Sequence, residues 1–257
     1  MTKHIEELIE KYQLTHIKDE LLATVFECIK VVPKQEAVLP VGCSKMGGYP
    51  DLPATLAYPT YKGHPLHFVA QFNLAELQAV GMKNDLPQSG MLYFFYFADD
   101  EQEAFGEVYG NSNVKEGWRV LYYEGEIDDV QKTNQVKGQY SQCRVTFEIA
   151  QKLPDLFIED EEDSDRFLQL LEELIPDCYD NHQVFGTPFS VQTEVLEEAQ
   201  EYIGLHHNEI TLLFQVDSDE EHLNMMWGDM GMLYFCIANE DIKQRRFDKA
   251  CCILQSL

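Results

Sequence analysis

Gln71 and Gln215 each interrupt an apolar run that closes on an Asx residue, Asn73 in the first case and Asp217 in the second. A side-chain amide carries both donors and an acceptor. The pair can therefore tie neighbouring strands together as satisfied buried amides, or line a polar cleft; a backbone partner is the commoner arrangement for a buried polar group. Further on, the run MMWGDMGM at 225–232 places Trp227 two residues before Asp229. Its bland reading is a tight turn in which Gly228 and Gly231 supply a permissive backbone and the methionines fill irregular gaps. Its functional reading is a ligand wall, with the indole as a flat apolar surface and Asp229 as a fixed acceptor. Gln71, Asn73, Gln215, Asp217, Trp227 and Asp229 are thus the candidate binding residues, and no catalytic residue or cofactor is assigned.

Other chemistry-bearing groups carry weaker signals. The stretch 42–48 (GCSKMGG) superficially resembles a phosphate-cradling loop, but Lys45 is followed by Met46 rather than Ser or Thr, so a turn is expected. Cys43 would need a basic partner to become a nucleophile, and Lys45 is near it only in sequence. His64 and His67, and the adjacent His206 and His207, lack cysteines or carboxylates at ligand spacing, so no structural metal is expected. The acidic run 159–165 (EDEEDSD) lacks the mid-loop Gly and distal Glu of a calcium loop. It reads instead as the start of a helix, where carboxylates meet the unsatisfied N–H groups.

These residues need elements to hold them. Apolar spacing of three and four through Ile5, Leu8, Ile9, Tyr12, Ile17, Leu21, Leu22, Val25 and Ile29 predicts an amino-terminal helical extension over residues 1–34, with Pro33 near its end. From residue 35 the texture becomes short aromatic and branched runs between Gly, Pro, Asn and Asp. Strands are predicted at 66–72, 91–97, 120–123, 143–147, 210–216, 232–237 and 250–254. Short helices are predicted at 74–80, capped by Asn73, and from Thr193 to about residue 203 before Gly204. The pentapeptide GMLYF occurs at 90–94 and again at 231–235, each preceded by a Gln-broken apolar run and, further upstream, by Gly48-Tyr49-Pro50 or Gly186-Thr187-Pro188. Three blocks in the same order predict an internal duplication. The expected fold is α+β and mainly antiparallel β, in one domain over 35–257. A first repeat at about 35–150 and a second at 181–257 are joined by an acidic helical connection at 151–180. Such halves pack about a pseudo-twofold axis, and the candidate residues are expected to converge on a shared cleft.

The segments SKMGGYPDLP (44–53), FVAQFNL, LPQSGMLYFFYF, NHQVFGTPFSVQ (181–192), LLFQVDSD (212–219), MMWGDMGMLYFCI (225–237) and RRFDKACCILQSL resemble the YwqG-like family of bacterial proteins of unknown function. The likeness extends over about residues 35–257. It implies a duplicated, β-rich, roll-like fold with peripheral helices, and it brings no catalytic residue, cofactor or substrate. Thr187 stands where that resemblance leads one to expect an aromatic residue.

Charge narrows the classes of function. The 257 residues carry 45 acidic against 19 basic side chains, a formal net charge of -26, with 45% hydrophobic residues. That much apolar material specifies a globular chain. Phosphate-directed nucleic-acid binding needs the opposite charge. The longest apolar run, 91–98, falls far short of the ~20 residues of a membrane helix. Seven scattered cysteines without a C-x-x-C pair predict reduced thiols and a cytoplasmic setting. The expected function is non-enzymatic binding of a basic protein or peptide, in the manner of an inhibitor or immunity factor, because an acidic surface steers basic partners. The alternative is an enzyme or small-molecule binder that uses the cleft between the repeats.

Overall fold

A computed structural model describes residues 2–133, 140–175 and 181–257. Helices α1 (Thr2–Lys11) and α2 (Lys18–Thr24) lead into strand β1 (Phe26–Lys34). Short strands β2 (Lys45–Met46), β3 (Asp51–Pro53), β4 (Thr60–Tyr61) and β5 (His64–Pro65) precede β6 (His67–Asn73), α3 (Leu74–Gln78), β7 (Met91–Tyr96), α4 (Phe105–Val108) and β8 (Trp118–Tyr123). Then come β9 (Val130–Lys132), β10 (Cys143–Lys152), α5 (Glu161–Leu174), β11 (Gln183–Val184), α6 (Val195–Ile203), β12 (Ile210–Asp217), β13 (Met232–Ala238), α7 (Asn239–Lys243) and β14 (Cys251–Gln255).

Ten strands make one antiparallel sheet in the order β14-β13-β12-β11-β1-β10-β2-β6-β7-β8. The sheet curls until its ends meet, where the Trp118 indole N–H donates to the Ala250 carbonyl at 3.0 Å. Inside the curl, Phe72 and Phe94 of one side pack on Phe214 and Phe235 of the other, with ring centroids 4.7–5.1 Å apart. Burying such rings together is the dominant stabilising contribution of a barrel-like core. A second, smaller core forms outside the sheet, where Ile5, Leu8 and Ile9 of α1 meet Phe167, Leu170 and Leu171 of α5. Asp160 caps α5 by accepting the Asp163 N–H at 3.0 Å, so part of the acidic run serves the helix start.

The predicted helical extension over 1–34 is corrected at its end: residues 26–34 are a central strand, paired with β10 from Phe26↔Lys152 to Lys34↔Arg144. Ile29, Val31 and Val32 favour that extended backbone, and their earlier neighbours happen to satisfy helical spacing too. Pro33 fits because its missing N–H lies on the β11 side. That short strand has already ended there, its last bond to β1 being Val31 N–H to the His182 carbonyl at 2.9 Å. The predicted cap at Thr193 is also corrected, since Glu194 precedes α6 and makes no side-chain cap bond. Gly204 ends that helix in the left-handed region at φ 78°. Cys28, Cys43, Cys143, Cys236, Cys251 and Cys252 are all free thiols, and Cys178 lies outside the described residues.

One set of contacts occurs twice. Gln71 pairs with Tyr93 across β6 and β7, and Gln215 with Tyr234 across β12 and β13, each just after a one-residue shift of the ladder. Gln71 Oε1 accepts from the Asp51 N–H at 2.7 Å and its amide donates to the Cys43 carbonyl at 2.8 Å. Gln215 Oε1 accepts from the Phe189 N–H at 2.9 Å and its amide donates to the Asn181 carbonyl at 2.7 Å. The two tyrosine hydroxyls donate to the Asp51 and Phe189 carbonyls, both at 2.6 Å. Both glutamines are therefore clamps holding a loop on the outer face of the sheet. Gln71→Leu and Gln215→Leu should each lower stability by about 1–3 kcal/mol in denaturant unfolding, because the loop N–H and C=O groups are left buried and unpaired. A loss below a few tenths would show that water replaces the amide.

Candidate functional site

The six candidate residues do not converge. Phe72 and Phe214 point into the curl, so by strand alternation Gln71 and Gln215 point outward, each beneath its own loop. Asn73 is engaged as the cap of α3, accepting from the Ala75 N–H at 3.1 Å and donating to the Gly42 carbonyl at 3.0 Å. Asp229 is exposed in the turn before β13, and its carbonyl accepts from the Leu257 N–H at 3.2 Å. Only Asp217 and Trp227 come together directly. The wholly buried indole donates its N–H to the Asp217 carbonyl at 3.2 Å.

Beside Gln71 lies a buried ion pair. Lys45 Nζ is 2.9 Å from Asp51 Oδ1, and neither side chain is exposed. Burial pushes the Lys45 ammonium down despite the attraction of Asp51. Asp51 Oδ2 accepts the Gly42 N–H and the Gln71 amide, both at 2.9 Å, so this cluster is closed around its own atoms.

The end of β12 is different. Its last residue is fixed through its backbone: the Asp217 N–H donates to His182 Nδ1 at 3.0 Å, and its carbonyl takes the Trp227 indole. Ser218 fastens the following turn, its Oγ accepting the Trp227 N–H at 3.0 Å and donating to the Gly231 carbonyl at 2.8 Å. The Asp217 side chain has the Ser218 N–H as its neighbouring donor. It is 1% exposed, and its Oδ2 has no hydrogen-bond partner among the described residues. Burial pushes the Asp217 carboxyl up to about 8, against the pull of the Ser218 N–H and of the Lys152 ammonium. At neutral pH it is mostly protonated.

Asp219, two residues on, is in the opposite state. Burial works against its charge too, but His182 and the His222 N–H hold its carboxyl below the usual range. The distances are 3.6 Å from Oδ2 to His182 Nε2 and 2.8 Å from the His222 N–H to Oδ1. His182 is wholly buried, which disfavours its charged form. Since its Nδ1 accepts from Asp217, its proton sits on Nε2, facing Asp219. Lys152 completes the surroundings, donating to Gln183 Oε1 at 2.9 Å and Asn181 Oδ1 at 3.1 Å. Asp219, His182 and Lys152 were absent from the sequence-based set. The only signals for them were the acidic alternation at 217–219 and the polar triplet at 181–183.

Asp217 lies at the floor of a cleft of about 360 Å³ between α5 and the outer face of the second half of the sheet. Leu168 and Leu171 of α5, Phe189, Met230 and Met232 form apolar walls, and Asp155 and Glu172 stand among the lining residues. No Lys, Arg or His lines it among the described residues. Nor, among those residues, does any group of three or more His, Cys, Asp or Glu stand where it could hold a metal ion.

The raised acid constant of Asp217 has a testable sign. Between about pH 5 and 7 the folded chain holds a proton on Asp217 that the unfolded chain has lost, so this group's contribution to stability falls as pH rises. Asp217→Asn removes that dependence. The variant should gain on wild type by about 1.4 kcal/mol per pH unit over that window. A stability difference flat in pH would show that Asp217 is ionised in the folded protein.

Among the described residues no helix is long and apolar enough to cross a membrane. No curated protein matches the chain. A family model does match, over residues 44–256, which span the sheet from β2 to β14 and include both clamps and the cleft; the chain belongs to the family described as a domain of unknown function (DUF1963).

Proposed function

We propose that this protein is a non-enzymatic, cytoplasmic binding protein for a basic protein or peptide, acting as an inhibitor or immunity-like factor would. The observation that carries the reading is the cleft over Asp217: apolar walls and, among the described residues, three carboxyl-bearing lining residues and no basic one. A pocket of this kind suits a cationic group on an apolar stem. The net charge of -26 adds long-range attraction for such a partner. A non-enzymatic role is supported by the thiols of Cys28, Cys43 and Cys143, which burial pushes up, making them poor nucleophiles.

The chain is further proposed to be a duplicated, roll-like unit of the YwqG-like kind. The twin clamps support this, as does a strand order that reads alike from either end, with β2-β6-β7-β8 on one flank and β11-β12-β13-β14 on the other. The axis of such a duplication would pass through the β1–β10 pair near Val32↔Thr146. With β1 and β10 as matching central strands, the first repeat would take in β1 (Phe26–Lys34) and the second would open on β10 (Cys143–Lys152), ahead of the acidic helical connection.

The test is fluorescence anisotropy with a labelled peptide of alternating lysine and leucine. Binding should be measurable at 50 mM salt and should weaken strongly by 0.5 M, where the screening length is about 4 Å. A peptide that fails to bind at low salt would overturn the reading. Salt-insensitive binding of a small neutral molecule would favour the alternative, an enzyme or small-molecule site in the same cleft.

A further inference from the structure

We propose that Asp217, at the floor of the cleft, is the seat of a primary ammonium group carried on an apolar stem, such as a lysine side chain or an alkylamine. The inference rests on the binding-protein reading and names the chemical group that enters the cleft.

The first support is an unfilled valence at a strand end whose backbone N–H and carbonyl are both bonded. Trp227 and Ser218 spend their polar atoms, and His182 its Nδ1, on the backbone around Asp217, while His182 Nε2 faces Asp219 Oδ2 at 3.6 Å. Asp217 Oδ2 is buried with no partner among the described residues. A buried acceptor without a donor is costly, and its retention needs an explanation.

The second support is a comparison inside the molecule. Asn73 stands two residues after Gln71 as Asp217 stands two after Gln215, and both of its amide functions are bonded locally. The Asp217 side chain has no counterpart of those bonds, because no helix follows β12 for it to cap. Asp217 is among the residues that line the cleft.

The third is the distribution of charge. The groups that bear on the carboxyl from the packed elements are Lys152 of β10, Asp219 of the following turn, Tyr234 of β13 and the Ser218 N–H. Asp155 and Glu172 face the cleft from the α5 side. The Lys152 ammonium is bonded to Gln183 and Asn181. Among the described residues no Lys, Arg or His lines the cleft, so the cation to meet Oδ2 from that side is one that enters from outside. A single open oxygen suits an ammonium, which donates as a point, better than a guanidinium, whose fork asks for two acceptors.

Docking has a proton balance. The carboxylic acid and the entering ammonium become a carboxylate–ammonium pair, and the proton leaves to solvent. Binding is thus linked to pH: at pH 7, where burial keeps the acid mostly protonated, each docking event releases close to one proton.

The experiment is calorimetric titration of n-hexylammonium chloride into wild type and Asp217→Asn at pH 7, in two buffers of different ionisation enthalpy, with n-hexanol as the neutral control. Wild type should bind the ammonium at least roughly tenfold more tightly than the variant, with proton release, while hexanol should not distinguish the two proteins. Equal ammonium affinity in both proteins, absence of binding, or binding without proton release would overturn the proposal. A measurement on unaltered protein guards against a misfolded variant: the carbon-13 carboxyl titration of Asp217 should move to lower pH when hexylammonium is added, and an unmoved midpoint overturns the proposal. The lysine–leucine peptide is run in parallel. If it binds wild type and Asp217→Asn alike, the seat is wrong while the binding-protein reading stands; if it binds neither, that reading falls as well.

Discussion

Replacing Lys45 by methionine should lower the stability of the protein by about 3–5 kcal/mol, the range for breaking a fully buried ion pair from one side. The pair is closed to solvent, with Nζ 2.9 Å from Asp51 Oδ1 and no exposure of either side chain. Lys45→Met keeps most of the apolar stem but strands a carboxylate that cannot reach water. Asp51 retains the Gly42 N–H and the Gln71 amide on Oδ2, so the damage falls on Oδ1. Lys45→Met/Asp51→Asn should recover much of the loss, because the amide still offers an acceptor and no longer carries charge. Guanidinium unfolding of both singles and the double closes a cycle, and the coupling should exceed about 1 kcal/mol. A Lys45→Met protein within 1 kcal/mol of wild type would mean that the aspartate is neutral in the folded chain. The same position in the other half is informative: Gln183 replaces Lys45 in the strand register, pairing with Gln215 as Lys45 pairs with Gln71. There the ammonium comes from Lys152 on β10 and donates to two amide oxygens, those of Gln183 and Asn181.

Strands such as β7 and β13 were readable because their apolar runs are continuous and follow a glycine. Their burial on both faces is what continuous runs require, and the observed Met91–Tyr96 and Met232–Ala238 fall within a residue of expectation. Strand β1 was not readable. Ile17, Leu21, Leu22, Val25 and Ile29 satisfy helical spacing across a real boundary, and what makes residues 26–34 a strand is β10, more than a hundred residues away. Strands β2 and β11 are two residues each, too short to show any period. At the candidate site, Gln71 and Gln215 were readable as amides needing backbone partners. Their convergence was not decidable, because it depends on which face of each strand turns inward, and Phe72 and Phe214 take that face. Asp217 closes the buried strand β12, as its place after an apolar run implied. Of its neighbours, Asp219 is two residues on, whereas Lys152 and His182 come from separate segments that only the sheet order brings to it.

Trp227→Ala should be about as damaging as the loss of Lys45, at about 3–5 kcal/mol, because a large buried aromatic is replaced by a void. For a chain of this size that corresponds to a fall of about 6–20 °C in Tm. The indole is wholly buried, packed edge-on against Tyr96 with centroids 6.1 Å apart and against Tyr140 at 5.7 Å. Its ring N–H and backbone N–H hold the Asp217 carbonyl and Ser218 Oγ, so truncation also frees the strand end that aims the Asp217 carboxyl. Trp227 is therefore a positioning residue, and its loss should lower hexylammonium affinity and stability together. Trp227→Phe separates the two effects: packing is largely kept, the bond to the Asp217 carbonyl is lost, and the expected cost is about 1 kcal/mol with weakened proton-linked binding. Asp229→Asn is the matched control. Its side chain is exposed, so both Tm and binding should stay at the wild-type level, within about 0.5 kcal/mol. A Trp227→Ala protein that melts with wild type yet no longer binds would reverse this assignment and place the indole in direct contact with the ligand. A destabilised Asp229→Asn would show that Asp229 carries more of the fold than the bond from its carbonyl to the Leu257 N–H implies.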